Sequence, residues 1–573
     1  MHLNVASIIC QTLLERGVKL AFGLPGSLNV PLLEAFRNSR LRFVTTSHEL
    51  AASFMAIGCY RRNGKPALLT TIPGPGFTYA LSGIAEAAED SCALIYLLVI
   101  PSNRAQKAFF LHDLRHEEII RSMVKESFNI QRPPEAAEVI SRAYDVSLSD
   151  EPGPVFVTIP ANLIEEPTSP VNIPPSAFSS ADNQSPAKEE VRRCAEELLG
   201  SERPLLFIGM GAMKSSSILH EFCLKHRIPA FCTLSGRGII PADHAMNLPV
   251  DFSYGTPKAF QRFLPKMDCM LALGCKFSHN GTGGYSMMLS GKKVIKVNSC
   301  KAHLSANYPP TLAVHARVEK FLPLLAQQLG DFRTRWTDEE LQQLRGDLEK
   351  EIRGRAHVFP SILKSPVQDF FAALRQVLPR ESVLVTDSGL HQVMTRQFFP
   401  VFCPAGLIAP SDFQSMGFAL PAALGVALCE TKHKVVCLVG DGGFNISALE
   451  TLTALREKLN LMIIVFRDGY FGQIRLQQIS RYGVPFGVAF NTPRYEELAS
   501  ALDIKYFKLY LPMSECLRQC LQVEGVILME VLLEDSPELS RIGLVSSAKA
   551  KVRQLVGPAS IRSIKKLMKF GDQ

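Results

Sequence analysis

Short apolar runs rich in valine, isoleucine and leucine alternate along the chain with stretches whose apolar residues recur at helical spacing. In the first block strands are expected at 19–22, 42–46, 67–72, 93–99 and 155–159. Helices are expected at 6–14 and after Ser47-His48-Glu49, where Ala51, Ala52, Phe54, Met55 and Ile57 follow. The second block repeats the alternation, with strands at 204–208, 270–273 and 294–297. The third places strands at 383–386, 435–439, 461–466 and 526–531. Unbroken apolar strands separated by helices predict parallel sheets covered on both faces. The expected fold is therefore α/β, with three doubly wound parallel-sheet domains. Boundaries are expected at 1–165, 189–330 and 365–540. A proline-rich linker (166–188), a charged helical connector (331–364) and a basic tail (541–573) lie between and after them.

Candidate chemistry concentrates where strands end in glycine turns. The run 435–439 leads into Gly440-Asp441-Gly442-Gly443-Phe444. A helix is expected over 447–458, with Ser447 as N-cap, Glu450 at its N3 position and Leu449, Leu452 and Leu455 on the apolar face. The next strand ends in Arg467-Asp468-Gly469-Tyr470-Phe471-Gly472. In a doubly wound sheet the carboxyl ends of neighbouring strands converge and ligands bind there. Asp441 and Asp468 are thus placed to share one hard cation, and the glycines let backbone N–H groups approach a phosphate. Magnesium suits one or two carboxylates plus phosphate oxygens. Taken alone, Gly-Asp-Gly also reads as a surface turn.

Composition narrows the picture. The 573 residues are 47% hydrophobic with mixed charges, as in an ordinary globular protein. No apolar run is long enough to span a bilayer, and the first residues lack a signal-peptide pattern. Fourteen cysteines without a Cys-x-x-Cys pair point to reduced, mostly buried thiols in the cytoplasm. The net charge of +8 owes much to the last residues (Lys549, Lys551, Arg553, Arg562, Lys565, Lys566, Lys569) and gives no evidence for nucleic acid.

The Gly-Asp-Gly turn followed by a helix, a strand and a polar pair resembles the thiamine diphosphate motif of the superfamily that contains acetolactate synthase, pyruvate decarboxylase and benzaldehyde lyase. The resemblance covers roughly residues 1 to 540. It implies that Asp441, Asp468 and the backbone carbonyl of Tyr470 hold magnesium, with Arg467-Asp468 standing where the family has Asn-Asn. It also implies cofactor contacts at Gly440, Gly442, Gly443, Phe471 and Gly472. Asp387-Ser388-Gly389-Leu390-His391 resembles the family's diphosphate-bonding Gly-Gln-His segment, which assigns Ser388, Gly389 and His391. Met416-Gly417-Phe418-Ala419-Leu420-Pro421 is similar to the segment whose methionine wedges under the cofactor. The carbonyl two residues earlier, Gln414 here, then accepts from the pyrimidine amine. On the N-terminal side Gly23-Leu24-Pro25-Gly26, a strand running into His48-Glu49, and Pro73-Gly74-Pro75-Gly76 match a pyrimidine-binding domain in order. Gly26 and Gly74 become cofactor contacts and Glu49 the catalytic glutamate.

His112 falls where acetolactate synthases carry a pocket glutamine; it reads either as a group acting on the substrate carbonyl or as a surface histidine. Phe109 and Phe110 line the same pocket or belong to the core. The central unit resembles a Rossmann-like domain that holds FAD in acetolactate synthases. Here Gly209-Met210-Gly211 lacks the full dinucleotide fingerprint, and Asn298 and Ser299 stand where an acidic residue usually follows the strand. FAD, another nucleotide, or no ligand remain the alternatives there. The implied reaction is decarboxylation of a 2-oxo acid, followed by carboligation to a second carbonyl. The alternatives are simple decarboxylation to an aldehyde, 2-hydroxyacyl-CoA cleavage, and a silent cofactor-binding scaffold. The family's shared site implies an obligate homodimer or homotetramer.

Overall fold

Three sheets form where the alternation places them. The computed structural model describes residues 3–102, 111–169, 184–429, 432–538 and 541. Phe109, Phe110, most of the expected linker and nearly all of the basic tail lie outside the described residues. The N-terminal sheet runs in the order Arg42–Thr45, Leu20–Gly23, Ala67–Thr71, Leu94–Ile100, Pro154–Pro160, Ser127–Asn129, with every pairing parallel. The central sheet is also all parallel, in the order Leu312–His315, Lys293–Asn298, Cys269–Leu273, Pro204–Ile208, Ala230–Cys232. The C-terminal sheet departs from the expected all-parallel form at one edge. Ser361–Ile362 pairs antiparallel with both Ser365–Pro366 and Val526–Glu534, so part of the expected connector joins this sheet. Its interior is parallel: Val526–Glu534, Leu461–Arg467, Val435–Gly440, Leu384–Thr386 and Leu407–Ile408. Strand order reverses direction from Val435–Gly440, which puts a topological switch beside the glycine turn.

Helix Glu49–Asn63 begins where His48, extended at φ −153°, accepts the Leu50 N–H on its imidazole, and ends at Gly64 in the left-handed conformation. It is buried on nearly every face because it lies between two units. Its partner is helix Ala419–Cys429 of the C-terminal unit, itself buried from Ala419 to Ala427. The two backbones touch. A Cβ on Gly58 would lie 2.1 Å from the Ala422 carbonyl oxygen, and one on Gly425 would lie 2.0 Å from that of Met55. Phe54, Met55, Phe418 and Leu420 consequently belong to one continuous core shared by the N- and C-terminal sheets. The central unit has its own core. Gly58→Ala is expected to force the helices apart and cost about 1–3 kcal/mol, read as a lower Tm.

The same junction buries Glu86, whose Oε2 accepts the Ser415 N–H at 2.9 Å while Oε1 has no partner. Burial, and then the neighbouring Asp90 charge, raise its pKa from the ordinary 4.5 to about 8. A carboxyl whose folded pKa is raised stabilises the fold fully below its unfolded pKa and loses that contribution as pH rises through the folded one. Thermal stability should therefore fall between about pH 5 and pH 8. Glu86→Gln, which keeps an acceptor for Ser415, should flatten that dependence in a Tm-versus-pH series.

Candidate active site

Two half-sites stand at the carboxyl ends of the outer sheets. In the N-terminal half, strand Ala67–Thr71 runs into Gly74 at φ 71°, from which helix Pro75–Glu89 starts. The His112 ring lies 3.2 Å from where a Gly74 Cβ would be. His116, buried beside it, accepts the Gly74 N–H at 3.3 Å, and burial lowers its pKa. Glu49 is 7% exposed, and its Oε1 sits 2.8 Å from where a Gly76 Cβ would be. Around it lie Tyr96, hydrogen-bonded to Thr71 at 2.7 Å, and Phe77, which stacks on Tyr96 and takes His116 edge-on. Burial raises the Tyr96 pKa, and the Glu49 charge adds to the effect. Gly26 packs so closely on Ile72 that a Cβ would clash at 1.8 Å, and its N–H is held by Asn29 at 2.8 Å. Glu49, Gly74 and His112 are thus gathered on one small apolar-walled surface. His112 is half-buried, in the left-handed region at φ 62°.

In the C-terminal half, Gly440 caps a helix that starts directly at Asp441 and runs to Ser447; a second runs from Glu450 to Arg456. This corrects the expected N-cap: Ser447 ends the first helix and donates to the Gly443 carbonyl at 3.4 Å. Glu450 is no capping-box partner. It reaches out of the unit to Ser47 and His48. Leu449 and Leu452, expected on an apolar core face, are exposed. Helical periodicity alone does not say which side of a helix faces a core.

Asp441 is 2% exposed. Its Oδ1 accepts the Gly442 N–H at 2.9 Å, and its Oδ2 accepts Asp468 N at 3.1 Å and Gly469 N at 2.7 Å. Asp468 Oδ1 in turn accepts the Tyr470 N–H at 2.9 Å, which closes the turn that carries the Tyr470 carbonyl. A Cβ on Gly472 would lie 2.9 Å from Asp468 Oδ2. The Asp468 pKa is pushed up to about 6, by burial first and then by the charge of Asp441. Burial also raises that of Asp441, against its three N–H donors and the Arg467 charge. Two like charges held together in a desolvated turn form the donor set a hard divalent cation satisfies. Arg467, in the departure from Asn-Asn, bonds Glu530 at 2.6 Å and Thr492 at 2.8 Å, and its charge acts on Asp441, whereas the cation acting on Asp468 is Arg475. Arg475, unforeseen from sequence, pairs with Asp535 at 2.5–2.6 Å and lies over the Tyr470 ring.

The segment expected to meet a diphosphate lies against the Gly440 turn. The His391 ring lies against Gly389 and Gly440, is held neutral by burial with its pKa near 3, and has an unpartnered Nε2. Ser388 donates to the Gln414 side chain at 3.2 Å. Gln414, at φ 65°, is locked by bonds from its Nε2 to Pro410 O and Ser411 O at 2.7 and 2.6 Å. Met416 is half-buried at the end of this loop. The Phe471 and Phe490 rings meet at a tilt near Gly442, where a Cβ would lie 3.0 Å from the Phe471 ring.

Asp387 was not singled out from the sequence, yet it ties the half-site together. It accepts Ser388 N at 2.9 Å, Gly417 N at 2.8 Å and Phe418 N at 3.2 Å. A Cβ on Gly443 would lie 2.1 Å from its Oδ2. Burial pushes its pKa up to about 7 against those donors. The only signal was a carboxylate at a strand end before a glycine.

A cavity of about 960 Å³ opens between the three units, lined by Gly209, Gly211, Gly274, Lys276, Asn298 and His303 among others. The Asn298 side chain donates to Cys275 O at 3.1 Å and accepts from Cys300 N at 2.9 Å, so it is committed to the protein's own backbone. Glu151 in the cavity wall is engaged by Lys276 and, at 2.8 Å, by His303. The strand itself ends in Asn298-Ser299 in place of the acidic residue of the dinucleotide fingerprint, while Asp150, from outside the central unit, shares the Gln184 amide with the Ser299 carbonyl.

Three parallel-sheet units, the outer two ending in glycine turns, define a cofactor-binding α/β enzyme. The chain matches "Thiamine pyrophosphate enzyme, N-terminal TPP binding domain" over residues 3–121, the central domain over 191–325, and the C-terminal TPP binding domain over 387–531. It belongs to the thiamine pyrophosphate enzymes and is an acetolactate synthase-like, cofactor-dependent enzyme. It is 27% identical over 484 residues to the acetolactate synthase isozyme 1 large subunit of Escherichia coli, covering 82% of this chain and 83% of that protein. It is 28% identical over 485 residues to the isozyme 2 large subunit, covering 83% and 85%. The probable acetolactate synthase large subunit of Methanocaldococcus jannaschii is 25% identical over 569 residues, covering 94% and 93%. No described helix is long and apolar enough to cross a membrane.

Proposed function

We propose that the chain decarboxylates a 2-oxo acid and joins the remaining acyl unit to a second carbonyl compound, using thiamine diphosphate and magnesium. The observation that carries this reading is the pair of buried Asp441 and half-buried Asp468, joined at the ends of neighbouring parallel strands, beside the free Nε2 of His391. Asp441, Asp468 and the Tyr470 carbonyl would hold magnesium. Ser388, Gly389, His391 and the Gly440–Gly443 turn would hold the diphosphate. Gln414 and Met416 would orient the rings, with Gly26, Gly74, Phe471 and Gly472 closing around them. The bound cofactor supplies the electron sink for loss of carbon dioxide. Glu49, in an apolar, water-poor wall, would offer its carboxyl to the pyrimidine, and His112, beside the Gly74 turn, would donate to the substrate carbonyl. No step is routed through a flavin: Asn298 and Ser299 stand where the dinucleotide fingerprint has its acidic residue, and the Asn298 side chain is bonded to the protein's own backbone.

The working form is a homo-oligomer, at least a dimer, in the cytoplasm. Exposed Tyr79, Ile446, Leu449 and Leu452 on the helices after both glycine turns support this, since an apolar face of this kind beside a site marks an interface. We take the domains as a pyrimidine-binding unit to 165, a central unit from 189 to 330 and a diphosphate-binding unit from 365 to 540, to whose sheet Ser361–Ile362 of the connector adds an edge.

Product analysis tests the reading. Incubation with a turned-over 2-oxo acid and a carbonyl acceptor should give a 2-hydroxy-3-oxo acid or acyloin. Free aldehyde as the sole product would favour the second reading, a simple decarboxylase in which His112 delivers the proton.

A further inference from the structure

Two buried glutamates outside the cofactor constellation face each other's half-sites. Glu450 follows the Gly440–Gly443 turn in the C-terminal unit, is 2% exposed, and has its Oε2 bonded by Thr453 at 2.9 Å. Its Oε1 accepts the N–H groups of Ser47 at 2.8 Å and His48 at 3.0 Å, across 403 and 402 residues of chain. Ser47 also donates to the Leu449 carbonyl at 3.3 Å. These are the two residues directly before Glu49, and His48 is the N-cap of the Glu49 helix. Their N–H groups precede the helix and have no intrahelical acceptor. A buried carboxylate taking both forms strong, charge-assisted bonds that set where the helix begins. The converse contact runs from Glu86, on the helix after the Gly74 turn, to the N–H of Ser415, directly before Met416.

We propose that Glu450 is a positioning residue for Glu49, and Glu86 its counterpart for the Gln414–Met416 loop, so that each half-site is aimed by the other unit of the same chain. The helix contact at Gly58 and Gly425 is the rigid body between them, and the glutamates fix the two loops that leave it. A glutamate that merely stabilised the junction would change the folded fraction and leave the rate per folded, loaded site untouched. A positioning glutamate changes that rate, because a displacement of about 1 Å at a reacting group costs up to about 100-fold.

This inference rests on the catalytic reading of Glu49, and a double-mutant cycle separates the two. Turnover per cofactor-loaded site would be measured for wild type, Glu450→Ala, Glu49→Gln and the double variant, with amide exchange of the peptide spanning Ser47 to Phe54 followed in each. Glu450→Ala should lower kcat about 10- to 100-fold with KM little changed and should speed exchange in that peptide alone. Glu450→Gln, which keeps an acceptor for both N–H groups, should restore most of the rate and slow exchange. In the Glu49→Gln background the Glu450→Ala change should lower the residual rate less than about two-fold. Equal losses in both backgrounds, or faster exchange throughout the protein with no loss of rate per loaded site, would overturn the positioning role. An unimpaired Glu49→Gln enzyme would instead remove the catalytic reading on which it depends. If Glu450→Ala does not fold, Glu450→Asp takes its place: its shorter carboxylate should lower kcat and speed exchange at Ser47 and His48 alone, and wild-type rate and exchange there would overturn the positioning role.

Discussion

Glu49→Gln should lower kcat by about 10²–10³-fold while thiamine diphosphate and magnesium still bind. The glutamine fills the same space against Gly76, so the wall of Tyr96, Thr71 and Phe77 is retained and the fold is unchanged. What is lost is a group that can hold or release a proton where water is excluded. Steady-state carbon dioxide release, with cofactor occupancy measured in the same sample, checks the result. A variant with wild-type turnover would show that Glu49 serves only as the acidic first residue of its helix.

Asp441→Ala should have the second large effect. The change removes one cation ligand and leaves the N–H groups of Gly442, Asp468 and Gly469 without their acceptor. Each unsatisfied buried group costs about 1–3 kcal/mol. The turn bearing Asp468 and the Tyr470 carbonyl is then no longer anchored to the neighbouring strand. Magnesium-dependent cofactor binding should weaken by at least about 100-fold in calorimetric titration, with turnover lost at ordinary cofactor levels. Undiminished affinity would mean that the metal is held elsewhere.

Much of this was legible in the chain, for stated reasons. Continuous runs such as 461–466 mark strands buried on both faces, and the glycine turns after them mark where backbones must approach closely. Asp441 and Asp468 could be paired because parallel strands bring their carboxyl ends together. What sequence could not supply was the partner of each polar group. Glu450 has the spacing of a capping box with Ser447, yet its acceptors serve Ser47 and His48, more than four hundred residues away. Leu449 and Leu452 have core periodicity and lie exposed, because period alone does not say which side of a helix meets a core. Asp387 gave no motif of its own, and only the folded chain shows it collecting three N–H groups from two loops. The antiparallel edge at Ser361–Ile362 was hidden because two residues carry no period.

The most direct measurement is carbon dioxide release from a panel of 2-oxo acids, with thiamine diphosphate and magnesium each present or omitted. At least one acid should be decarboxylated, and release should cease when either is withheld and the metal chelated. Binding of the cofactor without release from any acid would contradict the account.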